Sequence, residues 1–262
     1  SHVIRRVYGG GRAASYRGRG QNIPSVNVSR DEERFSIDKI VTSFNYDMFE
    51  DMASGQANTG LLSELMRAAR DVVDSYTNFQ TWYGSPDKKL PGVLNYPWLR
   101  KRVIATAFDG SATALDVVKA MHDFVNFSYL SQKQSFKPSV LVLSPRVHAF
   151  ICQEPMSSDN NSTIKERFLA NNAHITKIEE AWELQNDDSE NPLPNVPTGL
   201  DAMLAYRPDR MGIQNTITQP FTNLPAQQEG FGYTTYCWAG HGGVIMRDAG
   251  SNILGFVQPP TL

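Results

Sequence analysis

Residues 59–84, TGLLSELMRAARDVVDSYTNFQTWYG, decide the architecture. Leu62, Met66, Ala69, Val72, Val73, Tyr76 and Phe79 recur at three- and four-residue spacing, the period of one helix face. Thr59 is placed to cap the first turn, and Arg67 with Asp71, and Arg70 with Asp74, stand four residues apart on other faces. At about 1.5 Å per residue the spacing predicts a strut of roughly 35 Å, as long as a small domain is wide. Its packing face is expected at Leu62, Met66, Ala69, Val73 and Tyr76.

Upstream, residues 23–46 read as a projecting two-stranded loop: Val26 and Val28 on one side and Phe35, Ile37, Ile40, Val41 and Phe44 on the other. The charged run Arg30, Asp31, Glu32, Glu33, Arg34 is expected at its tip. Such a ribbon is marginal alone, so it needs a neighbour to lie on. Residues 1–22 hold Gly9, Gly10, Gly11, Gly18 and Gly20 among Arg5, Arg6, Arg12, Arg17 and Arg19, without a hydrophobic period. They read as an extended arm that orders only against a partner.

Downstream the style becomes α/β. The pattern predicts a helix from Ser111 or Thr113 through Tyr129, a buried strand Val140–Leu143, a helix opened by Pro145, another from Thr163 to Ala170, and a strand Ile175–Ile178. Residues 185–199 are acidic and rich in Asn and Pro, the composition of an exposed loop. Short strands are expected at 103–108, 203–206, 213–218, 232–239, 244–247 and 253–257, with His241-Gly242-Gly243 as a hairpin turn.

The 262 residues carry a net charge of −2 and 40% hydrophobic residues, ordinary for a protein with a real core. No apolar run reaches membrane-span length and no signal-peptide pattern opens the chain, which argues against membrane insertion and export. Basic charge is segregated: residues 1–30 contain six arginines and no acidic residue, whereas a nucleic-acid-binding body would carry a broad basic surface. Cys152 and Cys237 lie far apart in apolar or aromatic surroundings and read as reduced core thiols.

Catalytic chemistry finds little support. His241 beside two glycines suggests an oxyanion loop, and a soluble hydrolase using His241 is the alternative from another class. No Gly-x-Ser-x-Gly elbow accompanies it. His2, His122, His148 and His174 are scattered without metal-ligand spacing, and the glycines of residues 9–20 have neither the strand nor the helix of a dinucleotide site. No catalytic residue, cofactor or metal is expected.

Three blocks resemble one family. They are Gly92-Val93-Leu94-Asn95-Tyr96-Pro97 after the strut, Phe168-Leu169-Ala170-Asn171-Asn172 followed by Ile175 and Ile178, and a C-terminal series. That series comprises Ala205-Tyr206-Arg207, Gln219-Pro220-Phe221, Leu224-Pro225, Gln228-Glu229-Gly230 and Gly242-Gly243-Val244. Their order and spacing resemble tailed-bacteriophage major capsid proteins of the Hong Kong 97 type. The resemblance implies an α+β capsid fold: N-terminal arm 1–22, extended loop 23–46, spine helix and first part of a peripheral domain 47–111, axial domain 112–225, and the C-terminal part of the peripheral domain 226–262.

It further implies a structural, non-enzymatic subunit. Its first partner would be itself, in hexamers and pentamers of an icosahedral shell around double-stranded DNA. Scaffold, portal, maturation protease and decoration proteins are further possible partners, and no membrane is involved. The location implied is the virion capsid, assembled in the bacterial host cytoplasm. An encapsulin-like shell holding protein cargo is the alternative within the fold. The arm arginines would contact a neighbouring subunit or the packaged DNA, and Lys39, the one lysine of the ribbon, reads as a solvated side chain.

Overall fold

In the computed structural model, the described residues are 2–10, 27–57, 60–131, 137–157, 160–187, 193, 195–209, 212–247 and 252–260. Two compact units are present, 1–73 with 86–90 and 217–242, and 74–85 with 91–216 and 243–262.

In the first unit, β1 (His2–Gly10) pairs antiparallel with β2 (Asn27–Phe35). This corrects the expected division of arm and loop. The partner of β2 is the arginine segment itself, and the charged run Arg30–Arg34 lies along β2 instead of at a tip. Val3, Ile4, Val7 and Tyr8 are good strand formers, and the register sets Arg5 opposite Glu32 and Arg6 opposite Asp31, a favourable cross-strand arrangement of charge. Arg12, Arg17 and Arg19 lie outside the described residues.

The other expected ribbon strand, β3 (Asp38–Asp47), instead pairs with β12 (Gly232–Met246) in a four-stranded sheet with β10 (Ile213–Asn223) and β11 (Gln227–Glu229). β3 alternates strictly at its start: Asp38 and Ile40 are buried, Lys39 and Val41 exposed. The short helix α1 (Met48–Ala57) follows, its first amide donating to Phe231 O at 3.0 Å.

The strut is α2 (Leu61–Tyr83). Thr59 lies outside the described residues; Leu61 N–H donates to Ser54 Oγ at 2.9 Å, and the Gly60 carbonyl accepts from Ser63 and Glu64. Ala69 and Val73 are buried, and Leu65 and Met66 half-buried, against Ile40, Phe44, Cys237 and Ala239. The packing face is therefore shorter than its periodicity suggests. Leu62, one turn before it, and Tyr76, one turn after it, are 40% and 44% exposed, because the apolar sheet positions match only Leu65 to Val73.

The second unit is built on a five-stranded sheet, β4-β13-β9-β5-β8. Its strands are β4 (Arg100–Val103), β5 (Val140–Leu143), β8 (Lys177–Glu180), β9 (Asp201–Tyr206) and β13 (Ile253–Val257). The pairs β4/β13 and β5/β8 are parallel, and β13/β9 and β9/β5 antiparallel. Its central strands are apolar on both faces. Leu141, Leu143, Met203 and Ala205 pack beneath α3 (Ala114–Ser131), α4 (Pro145–Gln153) and α5 (Ile164–Asn171). Val140, Val142, Ala202 and Leu204 face a second core with Leu94, Tyr96 and Met246. Alternation across two buried faces produces the continuous apolar runs read in the sequence. Gly255 is required by packing, since a β-carbon there would stand 2.6 Å from the Phe124 ring.

Local caps explain two of the family-like blocks. Gly84, in the left-handed region at φ 65°, ends α2 and donates to Gln80 O, while Val93 and Leu94 amides donate to the Thr81 and Trp82 carbonyls. The loop 92–97 thus completes the helix terminus. Thr163 and Glu166 form a reciprocal capping box at the start of α5. At its end buried Asn172 donates to Phe168 O at 2.9 Å and accepts from His122 Nδ1 at 2.8 Å. The strand expected at 103–108 is displaced to 100–103, although Ile104 and Phe108 amides still donate to the Phe256 and Gln258 carbonyls.

The supposed exposed loop 185–199 is anchored at its base. Asp201, fully buried, receives Arg146 Nη2 at 2.5 Å, Ser144 Oγ at 2.6 Å and the Asn186 amide at 3.0 Å. Asn186 Oδ1 then accepts from the Leu193 amide. Four partners on one carboxyl group and its neighbour hold both loop ends without leaving a charge unpaired.

Candidate assembly surfaces

Each unit presents apolar surface of a kind that subunit contacts use. On the four-stranded sheet, Val41 is 72% exposed, Tyr236 is 45% exposed, and the register sets Val41 opposite Trp238 and Ser43 opposite Tyr236. Ile40 and Phe44 on the alternate positions face α2, so this sheet is apolar on both sides. Phe49 of α1 and Phe231 are both exposed and meet at 5.9 Å. In the second unit Trp98, Val103, Phe127, Leu130 and Trp182 are exposed, with Arg102 lying 5.0 Å over the Phe127 ring. Exposed apolar groups of this size are candidates for contact with another subunit.

The ribbon is the second element. β1 and β2 form a two-stranded sheet, an arrangement that is marginal alone. Arg5 and Arg6 lie on β1, and Arg30, Asp31, Glu32, Glu33 and Arg34 on β2, so these site candidates belong to one element. The spine candidates divide as described above, with Met66, Ala69 and Val73 turned to the sheet. The sequence reading missed the outward sheet face; the alternation of Val41 with Ile40 and of Trp238 and Tyr236 with Cys237 was the available signal.

His241 does not form a turn. β12 continues from Gly232 to Met246, and His241 is 1% exposed opposite Asp38. Gly240 admits the close approach of β10, because a β-carbon there would stand 2.5 Å from Thr218 Oγ1. Burial lowers the His241 pKa, partly offset by the Asp38 carboxylate, to which Lys88 Nζ donates at 2.8 Å. Lys39 is exposed opposite Gly240. Cys237 is buried and burial raises its pKa; Cys152 is half-buried and packs against the helix-covered core of the second unit. Among the described residues, no three His, Cys, Asp or Glu side chains are grouped to hold a metal, and no helix is long and apolar enough to cross a membrane.

The elements are those of the Hong Kong 97-like capsid fold: a long helix against a small sheet, a two-stranded ribbon, and a second α/β unit. Among solved structures, the capsid of Myoviridae phage XM1 is similar with TM-score 0.76 at 13% identity, over 98% of this chain and 85% of that one. Mycobacterium phage Adephagia follows at 0.64 and 11%, over 100% and 85%, and a virus-like particle from Pyrococcus furiosus at 0.54 and 11%, over 95% and 86%. No curated protein matches the chain by sequence. The major capsid protein family matches residues 11–253, and the chain belongs to it. Its role is structural, as a subunit of a capsid shell made from copies of itself.

Proposed function

We propose that this subunit builds the icosahedral head of a tailed bacteriophage, in hexamers and pentamers that enclose double-stranded DNA. The match to the major capsid protein family over residues 11–253 carries the reading. Supporting it, the phage XM1 capsid is similar in fold at TM-score 0.76 over 98% of the chain. Assembly takes place in the host cytoplasm, and the ribbon, the outer sheet face and the aromatic end of α1 are covered by neighbouring copies. Closed shells bury each such surface by repetition of one chain. The subunit performs no catalysis, and scaffold, portal, maturation protease and decoration proteins act on or around the shell. The unit 74–85, 91–216 and 243–262 corresponds to the axial domain with part of the peripheral one, and the four-stranded sheet to the rest of the peripheral domain.

Electron microscopy of the purified chain tests the shell, and nuclease-protected nucleic acid in particles from infected cells tests the contents. Closed particles with protected double-stranded DNA are the expected result. Particles holding only protein cargo would place the chain with the compartment shells, and a monodisperse monomer under conditions that support virus assembly would overturn the reading.

A further inference from the structure

The second unit holds a cleft of about 730 Å³ beside the last turns of α2, within the range of about 300–1,000 Å³ in which binding pockets fall. Trp82 of α2, Val142 of β5, Leu204 of β9 and Ile213 give it an apolar lining. Glu179, Glu180 and Asp209 add carboxylates to the same lining, and Asn78, also in the lining, donates to a fourth, that of Glu183. Lys177 is bonded to Glu179 and Arg207 to Asp209, whereas Glu180 meets the imidazole of His148. Even with Lys165, which reaches His148 and not the carboxylate, the carboxylates outnumber the ammonium and guanidinium groups beside them. The Glu180 side chain is 60% exposed, so a further cation can approach it from solvent. An apolar cleft with an acidic border fits a segment that brings an aromatic side chain flanked by cations, the residue types that most often anchor protein contacts.

The chain itself contains such a segment. Residues 11–26 hold Arg12, Tyr16, Arg17 and Arg19 and no acidic residue, so any carboxylate that pairs with these arginines lies outside the stretch. Arg5 and Arg6, by contrast, already stand opposite Glu32 and Asp31 in the ribbon. Gly10 and Asn27 are register partners, so the stretch leaves and returns at one place. Half its length, fully extended, is at most about 28 Å, enough to reach another molecule. We propose that the cleft of one subunit receives residues 11–26 of a neighbouring copy, with Tyr16 against Trp82 and Leu204 and the arginines at the carboxylates. The inference rests on the capsid-shell reading and adds to it a place where one subunit holds the next. Exposed ion pairs contribute little singly, so the apolar lining supplies the buried area and the charges select the segment.

The test replaces Tyr16 by the photo-crosslinker p-benzoylphenylalanine in the full-length chain and irradiates particles assembled from a mixture of heavy-isotope-labelled and unlabelled subunits. Peptide mass spectrometry then locates the adducts. They are expected on the peptides that carry Trp82 and residues 204–215, with one labelled and one unlabelled partner. Glu180→Arg should lower their yield about threefold, the scale of a reversed surface ion pair, and adding Arg17→Glu should restore most of it. Particles whose adducts lie elsewhere, on nucleic acid, or only within single copies would overturn the contact and leave the shell reading standing. So would cleft adducts indifferent to Glu180→Arg, since charge selects the segment. A wild-type chain that forms no particles overturns both readings together. Should the crosslinker variant alone not assemble, thermal opening of otherwise wild-type particles decides: Glu180→Arg should open earlier and its combination with Arg17→Glu later again, and equal opening of all three would refute the contact.

Discussion

Asn95 Oδ1 accepts the amide of Gly92 at 2.6 Å and so fixes the loop that closes the C-terminal end of the spine helix. A β-carbon on Gly92 would stand 2.3 Å from the amide nitrogen of Gly84 and 2.7 Å from the Tyr83 carbonyl carbon. The contact is with backbone, which has no side-chain end to rotate away. Gly92→Ala is expected to destabilise the subunit by at least about 3 kcal/mol, as overpacking that forces backbone to shift does. Asn95→Ala leaves the Gly92 amide without its partner and is expected to cost about 1–3 kcal/mol. Urea denaturation of the purified subunit checks both, and a Gly92→Ala midpoint equal to wild type would contradict the close approach.

Val73 is 1% exposed against Ile40 and Ala239. Val73→Asp puts an unpaired carboxylate there and is expected to destabilise by on the order of 4 kcal/mol, abolishing soluble subunits or particles. Arg67→Ala, on the exposed side of the same helix, should change stability by less than about 0.5 kcal/mol. Particle yield and thermal melting distinguish the two, and intact Val73→Asp particles at wild-type yield would refute the assignment of that face.

Asp201 is the fully buried partner of Arg146. Asp201→Ala leaves Ser144 Oγ and the Asn186 amide without their acceptor and the Arg146 guanidinium, which keeps the Asn186 carbonyl, without its carboxylate, at an expected cost of about 3–5 kcal/mol. Because Asn186 anchors the 185–199 segment, limited proteolysis should cut there first in the variant. Unchanged proteolysis and melting would show that the network holds nothing.

Burial, then the charges of Lys137 and His122, lower the pKa of His174, and burial also lowers that of His241. A base whose folded pKa lies below its unfolded value leaves the unfolded chain holding more protons between the two. Stability is therefore complete above about pH 6.5 and falls as the pH drops through the folded values. His174→Gln should flatten that decline between about pH 7 and 5, measured as the pH dependence of the urea midpoint. A decline as steep as wild type would remove His174 from the acid response.

The two-unit architecture was legible where period and burial coincide. The α2 stripe, the doubly buried Val140–Leu143 and the capped helices at Pro145 and Thr163 all carry local signals that agree with their surroundings. β1 was hidden because the adjacent arginines Arg5 and Arg6 interrupt the strand pattern, and its partner lies beyond an intervening glycine-rich stretch. His241 misled in the opposite direction. Two glycines after a histidine signal a turn, yet here Gly240 accommodates an adjacent strand and Gly243, at φ 75°, adjusts the backbone within one continuous strand.

The ribbon register offers a direct test of what the N-terminal arginines do. Arg5 stands opposite Glu32 and Arg6 opposite Asp31, so β1 carries basic charge where β2 carries acidic charge. Opposed charges across an antiparallel pair contribute about 0.2–1 kcal/mol each, small in one subunit but repeated in every copy of a shell. Arg5→Glu with Arg6→Glu puts like charges opposite one another and is expected to lower particle stability, seen as earlier opening on heating or in dilute denaturant. Combining those changes with Glu32→Arg and Asp31→Arg restores the complement with its sign reversed. If cross-strand pairing is the role of these residues, the fourfold variant recovers most of the lost stability. If instead their positive charge is needed for DNA or for an acidic neighbour, the fourfold variant stays as weak as the double one, because the basic charge now sits on β2 and no longer on β1. Genome retention and shell melting, measured on the same particles at two salt concentrations, separate those outcomes: loss of DNA from otherwise stable shells assigns the arginines to the genome.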